Sequence, residues 1–66
     1  MAIAKTIEVI ASSTQGIEAA VCDGIAKVGE TVTNIEGAWV KDTKAVVRDG
    51  SVAEWRVTMV ITFIVN

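Results

Sequence analysis

The dipeptide Asp49-Gly50 constrains this chain more than any other two residues. It stands between two runs that alternate with period two, and Asp-Gly favours a type I′ hairpin turn, which needs positive φ at both central residues. The spacing predicts two antiparallel strands, Glu36 to Arg48 and Val52 to Val65. With a two-residue turn Arg48 faces Ser51, and continuing that register pairs Val46 with Ala53, Val40 with Met59, Trp39 with Val60 and Ala38 with Ile61. Directly paired residues share a face. One face then holds Ala38, Val40, Val46, Val57, Met59, Ile61, Phe63 and Val65, with Trp55 in the same row closing one end of a core. The other holds Gly37, Trp39, Lys41, Thr43, Arg56, Thr58, Val60, Thr62 and Ile64. A loop of three or four residues would shift these assignments.

Upstream, Ile3 to Ala11 also alternates. Ile3, Lys5, Ile7, Val9 and Ala11 fall on one face and Ala4, Thr6, Glu8 and Ile10 on the other, which predicts a first strand. The segment "SSTQG" breaks the pattern, and Ser13 is a candidate helix cap. From there Ile17, Val21, Ile25, Val28 and Val32 recur at steps of three and four, a single helical stripe with Gly24 on the same side. Gly24 is expected to pack closely against the sheet and Gly29 to lie near the helix end. The order is strand, helix, strand, strand in an α+β domain: a three-stranded antiparallel sheet wrapped around one helix, one domain over residues 1–66.

A chain of 66 residues must offset roughly 1.5 kcal/mol of conformational entropy per ordered residue with one small core. Chains this short gain stability from disulfides, metals or oligomerisation. Cys22 is the one cysteine and there is no histidine, so neither an intrachain disulfide nor a structural zinc site is expected. Oligomerisation is left, and 52% hydrophobic residues exceed the needs of one small core.

Other classes are excluded in turn. "VTMVITFIV" is nine residues long, against about 20 for a membrane helix, and its β-branched residues suit a strand. The N-terminal "MAIAKTIEVIASS" does not read as a signal peptide, so a reduced cytoplasmic setting is expected. A net charge of -2 without blocks of like charge gives no footprint for nucleic acid. Without histidine the commonest general base is missing, and no serine or cysteine belongs to a recognisable triad. Cys22 reads as a small packing residue. "GIAKVGE" spaces its glycines like a phosphate loop but lacks the Lys-Ser/Thr that binds phosphate and magnesium. Carboxylates could converge at symmetry axes, yet the sequence does not say which ones. Catalysis is not expected.

What remains is the second sheet face. No second helix exists to cover it, so a monomer leaves Trp39, Val60 and Ile64 in water. An apolar patch ringed by Lys41, Thr43, Arg56 and Thr58 marks an interface or a ligand site.

The opening "KTIEVIASS", the helix "GIEAAVCDGIAKVGETVTNI" and above all "DGSVAEWRVTMVITF" resemble, in order and spacing, the dodecin family of small flavin-binding proteins. The resemblance covers nearly the whole chain. It implies a strand-helix-strand-strand subunit, a hollow homododecamer, and a flavin of the riboflavin or FMN type bound at subunit contacts and stored or quenched there. In dodecins a tryptophan early in the second strand stacks on the flavin and a glutamine in the third strand hydrogen-bonds its edge. Alignment through the turn places these at Gly37 and Arg56, and neither position keeps the family residue. The cofactor-binding set carried over is Gly37, Trp39, Arg56 and Thr58. Three readings are open. Trp39 replaces the missing ring, with Arg56 supplying a fork of donors. Alternatively, Trp39 fills the pocket and the protein is a structural shell that binds no flavin, Arg56 pairing with Glu36 or Asp42 of another subunit. In the third, the ligand is a different anionic aromatic molecule whose phosphate Arg56 binds.

Overall fold

The computed structural model describes residues 2–65. The chain runs β1 (Ile3–Ser13), α1 (Ile17–Val28), β2 (Ile35–Arg48), β3 (Ser51–Val65), an α+β order with one antiparallel sheet. β3 is central, in the order β1-β3-β2. That placement suits its sequence, because β3 is the longest apolar run and the middle strand is the one shielded along both edges. Among the described residues no helix is long and apolar enough to cross a membrane.

The turn is as the sequence predicts: φ is 53° at Asp49 and 79° at Gly50, and Arg48 pairs with Ser51. Val40–Met59, Trp39–Val60 and Ala38–Ile61 pair as expected. Between the turn and these pairs the register differs, because Ala53 is an extra residue in β3 and Lys41 an extra residue in β2. The two bulges cancel. Within the bracketed segment faces are exchanged: Val46 pairs with Glu54, not Ala53, and lies away from the helix, while Thr43 pairs with Val57 and joins the helix side. Strict alternation cannot reveal a bulge, since each inserts one residue that the period-two pattern counts as a change of face.

β1 extends two residues past the predicted Ala11, so Ser13 is its last residue and pairs with Trp55. Ser13 therefore does not cap the helix. Its Oγ accepts the Gln15 N–H at 3.0 Å, and the N-cap is Gly16, at a φ of 135° that a side chain rarely adopts. The helix stops at Val28, short of Val32, and the chain closes through a tight turn in which the Val32 N–H donates to the Val28 carbonyl at 2.9 Å. Asn34, at φ 62°, then redirects the chain into β2, and its carbonyl accepts the Ile64 N–H at 3.0 Å.

The helix lies on β1 and β3. Ala20, Val57, Met59 and Ile61 are fully buried, and Ile7, Val9, Ala11, Val21, Ile25, Val28 and Ile35 pack around them. The buried helix line thus runs through Ala20 and Gly24, turned slightly from the predicted stripe, whose first member Ile17 is exposed. Gly24 meets the close-packing expectation: a Cβ there would collide with the Met59 Cε and lie 2.9 Å from the Ala11 Cβ. Two other expectations are corrected. Trp55 is half-buried but lies outside the packed cluster, and Cys22 is exposed rather than packed.

A helix of 12 residues is about 18 Å long, whereas the molecule extends 52 Å. Most of β2 is consequently uncovered on both faces, including Ala38 and Val40 of the face predicted to be core. Beyond Trp55, where β1 ends, the hairpin continues as a two-stranded ribbon with the paired Val47 and Val52 exposed at 59% and 48%.

Candidate functional site

The candidate residues lie on the face of the sheet opposite the helix. Pairing through β3 defines its cross-strand rows: Thr6–Thr62–Gly37, then Glu8–Val60–Trp39, then Ile10–Thr58–Asp42, then Ser12–Arg56–Lys44. Gly37, Trp39, Thr58 and Arg56 therefore share one face, as the hairpin register implies. Rows are spaced two residues apart, about 6–7 Å. Trp39 has Gly37 and Thr58 one row away on either side, but the Arg56 row is two steps off, about 13 Å along the strands. One flat ring system centred on the Trp39 indole reaches its neighbouring rows, not the Arg56 row of the same chain.

Trp39 is 65% exposed and Ile10, in the adjacent row, 66%, so two large apolar side chains stand on a face that none of the described residues covers. Gly37 leaves open space: a Cβ there would have no neighbour within 4 Å. The indole consequently has free room on the side toward Thr62.

The charges on this face are mostly engaged. The Arg56 guanidinium donates to Glu54 Oε1 at 2.8 Å, a partner two residues away in its own strand. Lys41, the bulge residue, reaches across β3 and donates to Glu8 Oε1 at 3.0 Å. Because Lys41 is extra in the ladder, both it and the following Asp42 project onto this face, which alternation alone would forbid. Both pairs are partly exposed and contribute at most about 1 kcal/mol each to stability. Their effect is on local charge. Glu8 was not singled out from the sequence, because nothing in a hairpin pattern says which residue of β1 will lie across from Trp39.

Two concavities among the described residues lie elsewhere. One of about 280 Å³ lies between β1 and the helix, lined by Val9, Ala11, Gly24 and Val28 among others, and one of about 440 Å³ adjoins Thr31, Asn34 and Phe63. Neither includes Gly37, Trp39, Arg56 or Thr58. The candidate face is thus an open platform that offers one stacking surface. Among the described residues no group of three or more His, Cys, Asp or Glu is placed to hold a metal ion.

Comparison with known proteins agrees with this architecture. The Dodecin family model matches residues 3–66. A dodecin from Streptomyces davaonensis has the same fold with a TM-score of 0.93 at 25% identity, covering 98% of this chain and 96% of that one. An arginine-to-alanine variant of the Thermus thermophilus dodecin superimposes with a TM-score of 0.94 at 23% identity over 100% of this chain and 97% of that one. The dodecin from Streptomyces coelicolor does so with 0.94 at 23% identity, over 98% and 93% of the two chains. No curated protein matches the sequence. With the family match running from the first strand to the last residue and the fold shared throughout, this chain belongs to the dodecin family.

Proposed function

We propose that the chain is the subunit of a hollow, dodecin-like homododecamer in the cytoplasm. It binds a flavin-type aromatic ligand without catalysis, stacking it on Trp39 where the open faces of subunits meet. The observation that carries this reading is the 65% exposed Trp39 on an uncovered sheet face, beside the space left by Gly37. Holding a large indole in water forfeits the stabilisation that burial supplies, about 1.5–3 kcal/mol for a large apolar side chain, so the face is built to be covered. An open platform supplies one side of a stacked sandwich, and a second copy supplies the other. Gly37 and Thr58 bound the ring laterally. Arg56 belongs to the site only through a neighbouring subunit, because its row lies about 13 Å from Trp39 in the same chain.

A second reading is favoured by two observations. Gly37 stands where the resemblance puts the stacking tryptophan, and Glu54 already holds Arg56 at 2.8 Å. In that reading the Trp39 rings fill the pocket themselves, and the protein is a shell whose partner is only itself.

A riboflavin titration followed by flavin fluorescence, with the parent and Trp39→Ala, separates the two. Ligand stacking predicts saturable quenching by the parent, lost in the variant while the assembly keeps its size. The filled shell predicts no quenching, and a variant that dissociates.

A further inference from the structure

We propose that the stacking site at Trp39 selects an uncharged flavin-type ligand over its phosphate ester. The inference rests on the reading that Trp39 stacks a ligand, and names the class of ligand that the face accepts. The nearest cation to the indole is Lys41, two residues along β2, and its ammonium is held at 3.0 Å by Glu8 of the Trp39 row. The next row toward the turn adds the Asp42 carboxylate on the same face. Around the indole the Lys41 charge is therefore matched by Glu8 and exceeded by Asp42, which leaves an excess of carboxylate. Of the other cations on this face, Arg56 is engaged by Glu54 at 2.8 Å, and Lys44 shares its row. In the same chain that row is about 13 Å from Trp39, beyond the screening length of about 8 Å at physiological salt, and an Arg56 brought to the site by a neighbouring subunit arrives with its Glu54 counter-ion. A phosphomonoester carries about -1.5 to -2 charge at neutral pH. Beside Trp39 it meets that carboxylate excess, whereas an uncharged tail carries no charge for the carboxylates to repel. The ion pair from the bulge thus acts as an internal counter-ion: Glu8 occupies the ammonium nearest the indole.

The test is paired titration of the assembled protein with riboflavin and riboflavin 5′-phosphate at low ionic strength, for the parent, Glu8→Gln and Asp42→Asn. Riboflavin is expected to bind the parent about tenfold more tightly, with the difference shrinking as salt is added. Each variant removes one negative charge from the face and is expected to bring the ratio to within about threefold, mainly by tightening the phosphate ester. Both carboxylates are exposed, and the two variants check each other should either disturb assembly. Equal binding of both ligands by the parent, tighter binding of the phosphate, or a ratio that neither variant moves overturns this inference and leaves stacking at Trp39 standing. Quenching of neither flavin overturns both.

Discussion

At position 24 a helix-interior glycine, normally about 1 kcal/mol worse than alanine, is kept because the helix backbone approaches β1 and Met59 too closely for a side chain. Helix propensity and packing have opposite signs here, and packing wins. Overpacking costs about 1–3 kcal/mol, because the Met59 end can swing aside while Ala11 is fixed to a paired strand. Gly24→Ala is expected to lower stability by about 1 kcal/mol net in urea denaturation despite its better helix propensity; a stabilised variant would show that the helix can lift off the sheet freely. The same spacing argument read from the sequence identified Gly24 correctly. It could not identify Ala20, fully buried one turn earlier, because alanine carries no signal of which side it faces.

Among the elements, the hairpin is the one the sequence describes most fully. Asp49 and Gly50 both adopt positive φ, and the strands on either side run as predicted to within a residue. Gly50→Ala places a Cβ in the left-handed region, at a cost of about 1–2 kcal/mol. Nothing lies within 4 Å of that Cβ, so the loss is backbone strain alone. A fall in the denaturation midpoint with an unchanged m-value is the expected outcome, and an unchanged midpoint would mean that the turn relaxes into another type. What the hairpin pattern hides is the pair of compensating bulges at Ala53 and Lys41. They restore the predicted register at Trp39 while turning Val46 outward and Thr43 inward. The Ser13 cap expected from the sequence does not form because the β1–β3 ladder claims Ser13, and a residue paired in a strand cannot also cap the next helix.

At the scale of the molecule, four fully buried side chains among the described residues make a small core for a chain of 66 residues. The radius of gyration of 13.5 Å exceeds the roughly 11 Å expected of a compact chain this long. A two-stranded ribbon is marginally stable alone, yet the hairpin runs on past β1 with Val47 and Val52 in solvent. Folding is expected to be coupled to assembly. Light scattering at micromolar protein should give a mass many times 7.0 kDa, and the melting temperature should fall on dilution by mass action. A folded species of single-chain mass with a concentration-independent melting temperature would overturn assembly through this face.

The sequence by itself determined the element order, the turn and which side of the hairpin carries Trp39, because these follow from local periodicity and from φ preferences that act over a few residues. It also located the uncovered face, since a chain with one helix cannot cover both sides of a sheet. Only the tertiary structure decided that β3 is central, that bulges deliver Lys41 and Asp42 onto the open face, and that Glu8 and Glu54 take up the cations there. Those facts depend on pairing between residues as distant in sequence as Ile3 and Val65 or Glu8 and Lys41, and no local preference encodes which long-range partner a strand will find.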